Sequence, residues 1–105
     1  MTFIETQVFT RLVQLVMSDD EYSDLQRRLI ANPTGGVLIP GGGGSRKLRW
    51  GSRRRGRGKR GGMRVIYYPT PRYIYMLFVY DKNTQDDLAP RQLKEIRAYL
   101  ERRGL

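Results

Sequence analysis

The sequence predicts an α+β fold in which helices cover a small antiparallel sheet. Three observations carry this. The hydrophobic period switches from alternation near the N-terminus to helical spacing, then back to alternation, then to helical spacing again. Three strand-like runs follow one another through connectors rich in Gly, Pro and Arg, which reads as an antiparallel meander. The chain has 105 residues and 39% hydrophobic content, enough for one folded domain over 1–105 with a modest core.

The elements run strand, helix, helix, three strands, helix. Thr2 to Gln7 alternates and carries β-branched residues, so it reads as a first strand. Phe9, Leu12, Val13 and Val16 fall on one stripe of a helix over Val8 to Met17. Ser18-Asp19-Asp20-Glu21 is a capping box that opens a second helix, with acids in its positive first turn. Tyr22, Leu25 and Leu29 form its apolar face, Ile30 lies beside them, and Pro33 stops it near Asn32. Asn32 to Gly44 is loop, with room for a brief edge strand at Val37 to Ile39.

Arg46 to Trp50 is the second main strand, with Arg46, Leu48 and Trp50 on one face and Lys47 and Arg49 on the other. A basic connector over 51–62 leads to the third strand, Met63 to Tyr68. Pro69-Thr70-Pro71 turns into Arg72 to Tyr80, the most apolar run and the expected central strand. Pro90 suits the first turn of a last helix with Leu93, Ile96 and Leu100 along its seam, although Ala89 is a poor N-cap. Gly104 stands at the position after its end.

The charge is concentrated in one stretch. From Arg46 to Arg64 there are 10 Lys/Arg among 19 residues and no acid, and the chain carries a net +10. Self-repulsion of that size points to a polyanionic partner, most often nucleic acid. Trp50, Tyr67, Tyr68, Tyr73, Tyr75 and Tyr80 lie nearby, either to stack on unpaired bases or to pack the sheet. The chain contains no Cys and no His. That removes disulfides, thiolate nucleophiles, Ser-His triads and nearly all zinc-site designs. No metal or cofactor is expected. The glycines of Gly41 to Gly44 are not a phosphate loop, because the Gly-Lys-Ser/Thr ending is missing. No signal peptide and no membrane span is visible, so the expected location is the cytoplasm.

These residue types suffice to cut RNA. The 2′-hydroxyl attacks the adjacent phosphate, and a protein need only align the atoms, neutralise the phosphorane and help protons move. Lys47 or Arg49 on one strand and Arg64 on the next can meet across a hairpin to grip non-bridging oxygens.

The run GKRGGMRVIYY, Gly58 to Tyr68, resembles the signature of the RelE/ParE superfamily of bacterial toxin–antitoxin toxins, and more closely its HigB-like branch. The resemblance covers nearly the whole chain. It includes Asp19 to Tyr22, the Asn32-Pro33 stop, the GGGGSRKLRW approach, the YDKN turn at Tyr80 to Asn83 and the DL…QLKEI helix. It implies the element order above and a ribosome-dependent endoribonuclease that cuts mRNA in the A site. It further implies Arg64 as transition-state stabiliser, with Lys47, Arg49 and Lys82 positioning phosphate or shuttling protons. Lys59 and Arg60 would dock on ribosomal RNA, beside Arg46, Arg53, Arg54, Arg55 and Arg57 as further contacts.

Two positions depart from the RelE pattern. Asn83 stands where RelE has an arginine, and the tyrosine that RelE carries near the start of its last helix is absent from the local DDLAP. Tyr68 or Tyr80 could substitute as acid or base, with Asp86 or Asp87 as remoter options. Membership would also imply a helix-turn-helix antitoxin, and the +10 charge suits an acidic segment of such a partner. Two other readings stand beside this one. ParE-like gyrase inhibitors share the fold, and the RGG-like text at Arg55 to Gly62 suits a non-enzymatic RNA-binding module.

Overall fold

The computed structural model describes residues 1–51 and 62–105. Its elements are β1 (Thr2–Glu5), α1 (Gln7–Val16), α2 (Asp19–Ala31), β2 (Val37–Leu38), β3 (Arg46–Trp50), β4 (Met63–Pro69), β5 (Tyr73–Asp81) and α3 (Pro90–Arg102). This is the expected α+β order, with the brief edge strand at Val37–Leu38 formed as a fifth strand.

The sheet is mixed rather than antiparallel. Its order is β1-β5-β4-β3-β2, and β1 runs parallel to β5. Thr6 keeps β1 out of the meander. This one residue separates β1 from α1, and its hydroxyl caps the helix by accepting from Phe9 N at 3.1 Å. The chain therefore leaves the sheet at once, with no hairpin turn in which β1 could double back. The Thr6 hydroxyl also donates to Leu77 O at 2.9 Å, which fastens the junction to β5. The strand expected to be central, β5, is interior, while β4 holds the middle place.

Two cores follow from the two faces. Phe9, Val13, Met17, Leu25 and Leu29 from the helical hairpin pack on Leu48, Val65, Tyr67, Ile74, Met76 and Val79. On the opposite face, Ile96 and Leu100 of α3 pack with Ile66, Tyr75, Leu77 and Tyr80. The Ser18–Glu21 capping box is formed as expected, with Ser18 N donating to Glu21 Oε1 at 2.7 Å and Glu21 N to Ser18 Oγ at 3.2 Å. Ile30, expected beside the apolar face of α2, is 48% exposed. Among the described residues, no helix is long and apolar enough to cross a membrane.

Glycines at two places let the chain turn where other residues would be strained. Gly41, Gly43 and Gly44 adopt positive φ, and a Cβ on Gly44 would lie 2.9 Å from the Tyr68 ring. Gly104 (φ 73°) takes the left-handed turn after α3.

Candidate active site

The β3–β4–β5 register assembles a row of side chains. Leu48 and Trp50 join the core under α1 and α2, so alternation sends Lys47 and Arg49 to the α3 side. Met63, Val65 and Tyr67 join that same core, which sends Arg64 to the α3 side with Ile66. Arg49 is paired with Arg64, and Arg64 with Tyr80. Lys47 is paired with Ile66, one step along the same face. Directly opposed side chains have Cβ atoms about 5 Å apart, and like charges so opposed are unfavourable. A register that opposes two arginines across neighbouring strands suits an anion held by both.

Tyr80 reaches this row through an irregularity. The β4–β5 ladder shifts between Ile66 and Tyr67, so that Ile66 pairs with Phe78 and Tyr67 with Met76. Ile74, Met76 and Val79 therefore face α1 and α2, whereas Tyr75, Leu77 and Tyr80 face α3. Without the bulge, strict alternation from Met76 would put Tyr80 on the opposite face.

The members differ in exposure. Arg49 is exposed and Lys47 partly so, while Arg64 and Tyr80 are only 8% and 4% exposed. Arg64 Nη1 donates to Met63 O at 3.3 Å. The Tyr80 hydroxyl is buried and makes no hydrogen bond of ordinary geometry among the described residues. Burial raises the Tyr80 pKa above its ordinary value, the nearby Asp87 carboxylate raises it further, and Arg64 pulls it down.

Asp87, only a remote option in the sequence, sits at this site. Its Oδ1 accepts from Lys47 Nζ at 3.2 Å and from Leu88 N at 2.8 Å. The Leu88 N–H, then Lys47, hold its carboxyl below the usual carboxylate range. The DL…QLKEI text includes Asp87 but says nothing of a contact with Lys47. Only the path of the 82–89 loop back over the sheet brings it to Lys47, which lies 40 residues earlier.

Other expected site residues are placed elsewhere. Tyr68 is four residues from Arg64 on β4, about 13 Å along the strand, and packs edge-on against Tyr75. Arg46 lies on the opposite face of β3 from Lys47 and Arg49, and its Nη1 donates to Gly36 O at 2.8 Å and Thr34 O at 3.2 Å. It holds the 34–36 loop. Lys82 is exposed at the end of β5, where its backbone N–H donates to Gly62 O. Arg53, Arg54, Arg55, Arg57, Lys59 and Arg60 fall outside the described residues. Of the tyrosines considered for base stacking, Tyr67 and Tyr75 are buried, and only Tyr73, at 38%, is exposed.

A hollow of about 310 Å³ adjoins the Lys47–Asp87 pair. Its walls are mostly apolar, from Val37, Leu38, Ile39, Pro40, Leu88 and Leu93. Chemically, the arrangement offers cationic forks for a phosphate, a phenol close to one of them, a carboxylate and an apolar wall beside them. No known family model matches the chain.

Proposed function

We propose that this chain is a metal-independent endoribonuclease of the RelE-like toxin type. It enters the ribosomal A site in the cytoplasm, cuts the mRNA there and stops translation. The observation that carries this reading is the cross-strand row Arg49–Arg64–Tyr80, with Lys47 on the same face. Three cations and a phenol on one face are the equipment that 2′-hydroxyl attack on phosphate requires.

In this reading, the exposed Arg49 and Lys47 meet the phosphate first. Arg64, nearly covered, stabilises the charge that develops on the non-bridging oxygens, in surroundings where electrostatics are strong. Tyr80 exchanges a proton with the attacking or leaving oxygen. The apolar hollow by Lys47 is of a size to receive a neighbouring base. The basic connector at 51–62 docks on ribosomal RNA, and a cognate helix-turn-helix antitoxin with an acidic segment neutralises the protein.

The test is a reconstituted translation system given the purified protein or its Arg64→Ala variant. Arrest by the first and not by the second supports the reading. Continued synthesis with both would send attention to DNA supercoiling, the target of ParE-like relatives.

A further inference from the structure

The Lys47–Asp87 pair has a consequence for what the site accepts. Lys47 is the cation that stands beside the apolar hollow and shares a face with Arg49 and Arg64. Its ammonium is already taken up by a carboxylate at 3.2 Å. A carboxylate and a phosphodiester offer a lysine the same thing, an anionic oxygen, and one such oxygen occupies this position without any ligand.

The carboxylate is held in place rather than left to wander. Its Oδ1 also accepts from Leu88 N, which bends the residue back on its own backbone. The loop carrying it is tied to α3: Gln85 Nε2 donates to Asp87 O and to Gln92 Oε1, both at 2.9 Å. Gln92 Oε1 accepts in addition from Ala89 N at 2.8 Å. Leu88 packs at the margin of the α3-side core. An exposed ion pair normally loses much of its value to side-chain freedom, and this scaffolding reduces that loss for the aspartate. Among the described residues, Lys47 from β3 and Tyr80 from β5 are the titratable groups that face it.

We propose that Asp87 is a resident anion seated on the phosphate position of Lys47, so that RNA must displace it to bind. This rests on the reading of the site as one for RNA phosphate, and it makes Asp87 a specificity-determining residue. RNA free in solution must supply the displacement from its own weak contacts. An mRNA already held in a ribosome meets the site with docking contacts made elsewhere, so the exchange costs it proportionately less. The ribosome requirement would then be written partly into Lys47 and Asp87.

The test is binding of a short single-stranded RNA with 2′-O-methyl groups, which cannot be cut by 2′-oxygen attack. Four proteins are titrated over a range of salt: the unaltered chain, Asp87→Asn, Lys47→Met and the double variant. Asp86→Asn, an exposed acid one residue away, controls for the general loss of a negative charge. Asp87→Asn should bind about fivefold tighter, with a salt slope steeper by roughly 0.7 because one more phosphate is neutralised by a cation of its own. That gain should exceed the Asp86→Asn gain and should vanish in the Lys47→Met background. Equal gains from Asp86→Asn and Asp87→Asn would overturn the proposal, as would a gain that survives without Lys47. Binding by none of the proteins, even at low salt, would overturn the RNA reading and this proposal with it. Binding by all with no Asp87 effect would overturn this proposal alone.

Discussion

Arg64 and Tyr80 stand directly opposite each other on β4 and β5, and both are buried. The guanidinium lowers the phenol's pKa against the upward pull of burial and of Asp87. Removing Arg64 therefore has two effects in the same direction. It takes away the charge that would stabilise the phosphorane, and it leaves Tyr80 a poorer acid. Arg64→Ala should lower cleavage by about 100- to 1000-fold, measured as single-turnover cutting of ribosome-bound mRNA. A variant that cuts at the unaltered rate would remove Arg64 from the chemistry.

Tyr80→Phe separates function from packing. Among the described residues its buried hydroxyl has no hydrogen-bond partner of good geometry, and the Asp87 carboxylate near it is exposed enough for water to satisfy, so its loss strands no buried group. Denaturant unfolding should show stability unchanged or slightly raised, because an unsatisfied buried hydroxyl is itself a cost of about 1–3 kcal/mol. Cleavage should fall nonetheless. A variant as active as the parent would show that the phenol moves no proton.

Tyr67→Phe should do the reverse. The Tyr67 hydroxyl donates to Pro33 O at 2.7 Å and accepts from Gly36 N at 2.9 Å, pinning the loop that precedes β2. Two backbone groups lose their partner, so stability should drop by about 1–3 kcal/mol, with the cleavage rate of the folded protein little changed. Urea unfolding and the same cleavage assay check both halves.

The Asp87 carboxyl titrates below its unfolded value because Leu88 N and Lys47 favour the charged form. A depressed carboxylate pKa contributes stability that is present above the unfolded value and lost as pH falls through the folded one. The side chain is 72% exposed, so the contribution is small, under about 1 kcal/mol. Asp87→Asn should thus cost slightly at pH 7 and nothing at a pH below the folded value. Unfolding curves at the two extremes test this, and a deficit that persists in strong acid would assign the loss to something other than the charge.

Much of the fold was legible because its signals are local. The Ser18–Glu21 capping box, the Asn32-Pro33 stop and the stripe through Phe9 and Val13 are each fixed within a turn or two of helix. The split of Leu48 and Trp50 from Lys47 and Arg49 follows from strand alternation alone, and it puts Lys47 and Arg49 on the face that Arg64 shares. What was not legible is non-local. The run IYMLFVY is apolar throughout, so nothing in it announces the bulge that swings Tyr80 to the face of Arg64. The parallel place of β1 depends on which strand leaves an edge open. Asp87 reaches Lys47 only by the return of the loop before α3. Arg46 reads in the sequence as a contact for ribosomal RNA, and its donation to the carbonyls of Thr34 and Gly36 depends on a loop ten residues away.

The proposed target of the cationic row is mRNA held in the ribosome. Primer extension on a defined mRNA, translated in a reconstituted system with the purified protein and compared with the same mRNA free of ribosomes, tests it most directly. New 5′ ends are expected at in-frame A-site positions, present only with ribosomes and absent with Arg64→Ala. Unbroken mRNA in both samples would contradict that proposal.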